Sequence, residues 1–120
     1  MEHDELDGTR WALEYINLGG VSHLVTGRRI PELSFLDGRL AGDDGVNRGG
    51  GPYTIEGDSV VLGPIATTRM AYPPDPLPEH RLFEYLERAG SAVRHGEFLH
   101  LGFDDGELVY RREELREEPA

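Results

Sequence analysis

Few residues in this chain could assemble a reactive site: five histidines (His3, His23, His80, His95 and His100), the pair Asp43-Asp44 before Gly45, and the run Gly49-Gly50-Gly51. A zinc site needs closely spaced His, Cys or carboxylate ligands. No H-x-H or H-x-x-x-H pair is present, and there is no cysteine. His95 and His100 are five positions apart and would point to opposite sides of a single strand. The histidines therefore read as surface or hairpin residues, with no metal and no cofactor expected. Asp43-Asp44-Gly45 could chelate a divalent cation, and the glycine run could cradle a phosphate. Neither the Walker lysine nor a G-x-G-x-x-G entering a helix accompanies them. The simpler reading of the run is a wide turn in which glycine permits positive φ. Ser22, Ser34, Ser59 and Ser91 lack the G-x-S-x-G context of a nucleophile elbow. With 23 acidic residues, chance pairs of carboxylates are certain, and Glu84 and Glu87 read as a solvated face. One catalytic alternative remains, a small hydrolase or isomerase using Asp43, Asp44 and His100.

The elements that would position these groups are short strands. Thr9–Asn17 alternates, with Trp11, Leu13 and Tyr15 on one face and Ile16 on the other, as a half-buried strand does. Val21–Val25 could add a strand, and Glu32–Leu36 follows Pro31. Asp37-Gly38 suits a type I′ hairpin turn leading into Arg39–Gly42. Pro52–Glu56 and Ser59–Leu62 flank Gly57-Asp58. After the proline-rich Tyr72–Pro78, a helix is predicted over Pro78–Ala89. Asp75 is its candidate cap, Leu82, Phe83 and Leu86 form its apolar face, and Gly90 is its stop. Ala92–Arg94, Glu97–Phe103 and Glu107–Arg111 then form a meander turning at His95-Gly96 and Asp105-Gly106. Tight hairpins force antiparallel pairing, so the fold class is α+β.

A chain of 120 residues is sized for one domain. Half of its 16 glycines fall between Gly38 and Gly63, which marks a turn-rich β region there. The domain is placed at residues 6–112, with 1–5 and 113–120 as flexible termini. The formal charge is −11, from 23 acids against 12 arginines and no lysine. That balance opposes nucleic-acid binding, and no lysine can act as a Schiff base. Without cysteine, no disulfide or thiolate is available. No stretch is long and apolar enough for a membrane span, and the N-terminus lacks the basic and apolar regions of a signal peptide. The location expected is cytoplasmic, unless a leader has been removed.

Three segments carry a resemblance. Leu6-Asp7-Gly8-Thr9-Arg10-Trp11, Gly45-Val46-Asn47 with Gly51-Pro52-Tyr53, and Thr68-Arg69-Met70-Ala71-Tyr72 resemble the signature of the META/HslJ domain family. The resemblance implies a strongly curved, mainly antiparallel sheet, an open or cracked barrel, with one principal helix packed over it. It implies no established chemistry. On its pattern, Trp11, Gly45, Thr68 and Met70 are structural positions, while Asn47, Tyr53 and Arg69 are candidate contacts to a ligand or partner at the barrel mouth. Val46 and Tyr72 stand where the family has cysteines. If the backbone is shared, they should be neighbours, an apolar contact replacing a disulfide. The function implied is a non-catalytic, stress-associated domain binding a protein or a small hydrophobic ligand. A structural module in an oligomer is the further alternative.

Overall fold

The computed structural model describes residues 6–113; of the expected flexible termini, 1–5 and all of 113–120 except Glu113 lie outside it. Among the described residues there are ten strands: β1 (Thr9–Leu18), β2 (Val21–Leu24), β3 (Glu32–Leu36), β4 (Arg39–Asp43), β5 (Arg48–Glu56), β6 (Ser59–Leu62), β7 (Ala66–Thr67), β8 (Ser91–His95), β9 (Phe98–Phe103) and β10 (Gly106–Arg112). A 3-10 turn, Pro78–Arg81, runs directly into helix α1, Leu82–Glu87.

Eight of the strands close into a ring in the order β1-β3-β4-β5-β6-β8-β9-β10, every join antiparallel, because β10 returns to pair with β1 from Trp11↔Arg112 to Leu18↔Gly106. The barrel is closed, not open or cracked as the sequence led us to expect. The near-crack is the join of β6 to β8, where Ser59↔Ser91 is the sole ladder pair. Two flanking bonds brace it, Val60 N to Gly90 O at 3.1 Å and Ala92 N to Asp58 O at 2.8 Å. The helical excursion enters the chain between these strands, so hairpin logic cannot foresee the closure. β2 and β7 lie off the ring, paired with β1 and β5 respectively.

Trp11, Leu13, Leu33, Phe35, Leu99, Leu101, Leu108 and Tyr110 are among the side chains that fill the barrel core. In β1 the alternation breaks. A register shift between Leu13 and Tyr15 moves Ile16 into the core with Trp11 and Leu13, while Tyr15 is only half-buried. A bulge inserts one residue and so exchanges the faces beyond it. The same bend lets β1 pair with β3 over Thr9–Ala12 and with β2 over Tyr15–Leu18. The predicted turn at Asp37-Gly38 has positive φ at both residues (53° and 77°), as a type I′ turn requires. The last hairpin instead turns at Asp104-Asp105, with Asp104 at φ 40°, because Gly106 already pairs with Phe103 and Leu18.

Helix α1 is shorter than predicted, its first turn being 3-10. It buries Leu82, Phe83 and Leu86 as the spacing requires, and Tyr85 stacks on Phe103 with ring centroids 4.8 Å apart. Asp75 does not cap this segment; the Leu77 amide donates to His80 Nδ1 at 3.0 Å instead.

The glycine run is the largest local departure from expectation. Gly49, Gly50 and Gly51 are not a turn and none has positive φ; they are part of β5, flanked by β4 and β7. Glycine is needed there for close approach. A Cβ on Gly51 would lie 2.4 Å from Pro64 O, and one on Gly50 would lie 2.7 Å from Leu40 O. On Gly49 it would lie 3.0 Å from the Phe83 ring, which ties β5 to the helix. Gly51→Ala should therefore cost about 1–3 kcal/mol as an overpacking change against backbone. Gly90→Ala, which meets nothing within 4 Å at a φ open to any residue, should cost nothing and can gain ~0.4–1 kcal/mol. Urea melts of both variants check the pair; equal effects would contradict the close-approach account.

Candidate functional site

The signature segments meet where β4 passes to β5. The Asp44 amide donates to Asn47 O at 3.0 Å. Asp44 is fully buried; its Oδ1 accepts from the Val46 and Asn47 amides (2.9 and 2.6 Å), and its Oδ2 accepts from the Tyr72 hydroxyl at 2.6 Å. A carboxylate placed two or three residues before the amides it binds is the ordinary device for closing such a turn. Asp43 does likewise, accepting from the Gly45 and Glu32 amides. Both acids are therefore occupied by the turn that carries them.

Asn47 is 2% exposed. Its Nδ2 donates to Met70 O at 3.1 Å, while its Oδ1 accepts from the Met70 amide at 2.6 Å and from the Thr68 hydroxyl at 2.9 Å. The Thr68 hydroxyl in turn accepts from the Arg48 amide at 3.0 Å. Asn47 thus mimics a strand partner for Met70. It has no positive φ, and it sits inside the wall, not at a ligand mouth. Arg69 and Met70 occupy the clamped backbone with exposed side chains, Met70 at 63%. Arg69 has no partner among the described residues. The turn that carries Val46 and the segment that carries Tyr72 are joined by the Asn47–Met70 and Asp44–Tyr72 bonds. The link observed at Tyr72 is the polar one to Asp44, with its ring stacked on His80 at 5.3 Å. Partial burial, and then the Asp44 contact, raise the Tyr72 pKa.

Two other motif residues are core. Tyr53 is buried edge-on against Phe35 at 5.0 Å, so it is not a surface contact. Trp11 is fully buried, its Nε1 donating to the Thr9 hydroxyl at 2.7 Å, while that hydroxyl donates to Leu6 O. The guanidinium groups of Arg94 and Arg112 lie 5.4 and 5.9 Å from the Trp11 ring centre, within cation–π range.

The proposed catalytic set does not assemble. His100 is on the outer face of β9, its Nδ1 3.0 Å from Glu107 Oε1, and Glu107 also accepts from Asn17. Asp43 ends β4, and β4 lies four strands from β9 whichever way the ring is counted. His95 and His100 are not on one strand. They face each other across the β8–β9 hairpin, ring centres 5.6 Å apart. Among the described residues no three His or acidic side chains are arranged to hold a metal ion.

Sequence reasoning missed two buried groups. Glu79, 2% exposed, accepts from the Gly27 amide at 3.1 Å, and nothing in its position after Pro78 marks it as buried. The Tyr110 hydroxyl, inside the barrel, has no hydrogen-bond partner among the described residues. Burial, with the Asp43 charge adding to it, pushes its pKa far above the usual range.

A family model, the META domain, matches residues 4–115. The chain belongs to the META domain family. Two solved NMR structures share the fold. One, a protein from Burkholderia xenovorans, is 21% identical with a TM-score of 0.67, covering 90% of this chain and 83% of its own. The other is 21% identical with a TM-score of 0.69, covering 92% and 95%. No curated protein matches the sequence. No helix among the described residues of this META domain is long and apolar enough to cross a membrane.

Removing the Asn47 amide should leave Met70 N and O unpaired. Asn47→Ala is expected to cost about 1–3 kcal/mol, measured by denaturant melting. Asn47→Asp keeps the acceptor but loses the donor to Met70 O and should fall between. A loss below ~0.5 kcal/mol, the size of an ordinary surface substitution, would show that the clamp carries no stability.

Proposed function

We propose that this META domain is a non-catalytic binding domain that engages a protein partner through its outer surface, with Arg69 and Met70 as presented contacts. One observation carries the reading. A buried asparagine commits its amide to fixing the Met70 backbone, while the side chains of residues 69 and 70 face solvent. Arg is enriched at energetic centres of interfaces and Met at interfaces generally, and holding them on ordered backbone lowers the entropy lost on binding.

The filled barrel supports an outer surface over a small hydrophobic ligand, because aromatic and aliphatic side chains occupy the interior. Separation of His100 from Asp43 and Asp44 supports a non-catalytic role. The resemblance to the META/HslJ family, which implies a stress-associated role, supports a stress-associated partner, and the acidic, cysteine-free composition supports a cytoplasmic one.

Native mass spectrometry of the protein purified from its own host tests this. The expected result is a complex of defined macromolecular mass that Arg69→Glu abolishes without lowering the melting temperature. A tightly held small molecule, or a complex indifferent to Arg69→Glu and Met70→Ala, would contradict it.

A further inference from the structure

Beside the clamped loop the outer wall is hollowed. A single cross-strand row, Ser34, Ala41, Gly50 and Ala66, runs over β3, β4, β5 and β7, and on the β1 side it ends at Arg10. These small side chains floor an open depression of about 610 Å³, which continues into a second of about 220 Å³ beside Arg10, Glu32 and Asp43. Three strand spacings of ~4.8 Å make the row about 14 Å long. Leu36 and Arg39 stand on one bank and Arg48 on the other. Arg39 pairs with Pro52, four positions along β5 from Arg48, so the arginine backbones are roughly 13 Å apart along the strand direction.

Arg39 and Arg48 have no side-chain partner among the described residues, in a chain whose acids outnumber its arginines by 23 to 12. Arg81 pairs with Glu84, Arg88 with Asp104, and Arg94 and Arg112 lie over Trp11; away from the depression, Arg28 and Arg29 are likewise without a side-chain partner among the described residues. Of the two acids beside the depression, Asp43 already accepts two backbone amides. Arg69 lies one residue beyond Thr68, whose backbone is bonded to that of Arg48, so Arg48 and Arg69 share one corner, with Arg39 on the opposite bank, and none of the three has a side-chain partner among the described residues.

We propose that this trough is the docking surface for an extended, carboxylate-bearing peptide segment of the partner, which rests on the partner-binding reading and names its chemistry. Successive side chains of an extended chain point to opposite sides. A segment lying along the row therefore offers one carboxylate to Arg39 and the next to Arg48, each in the planar, two-point geometry that guanidinium favours. The floor lets the peptide backbone approach closely because no side chain larger than Ser34 stands in the row. Net charge of −11 over the whole chain repels acidic segments from the rest of the surface, which confines binding to the trough.

Fluorescence anisotropy with a short labelled peptide of consecutive glutamates, which presents carboxylates to both banks, tests the assignment, its glutamine analogue serving as control. The expected result is saturable binding of the glutamate peptide alone, weakened about tenfold by Arg39→Gln and by Arg48→Gln. Ala41→Leu, which raises the floor on the solvent side, should weaken it too while the melting temperature is kept. Equal binding of the glutamine peptide, indifference to all three substitutions, or tighter binding of inorganic polyphosphate than of the peptide would overturn it. Absence of peptide binding alongside a host complex that Arg69→Glu still abolishes would remove the trough and leave the partner-binding reading standing.

Discussion

A buried carboxamide must find partners for both its donor and its acceptor, and in this domain Asn47 finds them on one residue of a distant segment. Because Met70 N and Met70 O are both taken by that side chain, the chain from Thr68 to Tyr72 is held against β5 without needing a strand of its own. Asp44 completes the node from the same turn by gripping the Tyr72 hydroxyl. From there the chain reaches His80 and the short helix that packs beside Gly49. The helix position, the course of the proline-rich connection and the exposure of Arg69 all follow from two side chains in one turn.

The barrel wall and the node are coupled through β5. Its first half lies between β4 and β7, and its second half pairs with β4 only as far as Pro52 before turning to β6. Three successive glycines let neighbouring backbone and the Phe83 ring press in from several sides. The same absence of side chains hollows the outer surface. Structural necessity at Gly50 and the outer trough are thus one feature seen from its two faces, and the arginines on the banks give that feature a charge opposite to the rest of the molecule.

Much of this was legible in residue patterns where local chemistry decides the outcome. Pro31 and the turn signals at Asp37-Gly38 and Gly57-Asp58 located β3, β4 and β6, alternation located β9, and Asp37-Gly38 named its own turn type. Leu82, Phe83 and Leu86 marked the buried face of the helix, and the family pattern singled out Asn47, Thr68 and Met70, though not the bonds between them. The failures have physical reasons. A bulge in β1 is invisible to a period-two count, so Ile16 was placed outside. Glycine serves positive φ and close approach alike, and the run at 49–51 was assigned to the wrong one. Barrel closure depends on β10 meeting β1, a contact between chain ends that no hairpin signal encodes. Burial of Glu79 and isolation of the Tyr110 hydroxyl are tertiary outcomes with no local signature.

Amide hydrogen exchange followed by NMR tests the central claim, that a side-chain clamp gives residues 68–70 the order of a strand. Protection reports the free energy of local opening. If Asn47 holds this segment as described, the Met70 amide should exchange within about tenfold of the Tyr53 amide in β5, a difference of ~1.4 kcal/mol in opening free energy. Exchange of Met70 at the rate of an unstructured peptide, while Tyr53 remains protected, would contradict the account.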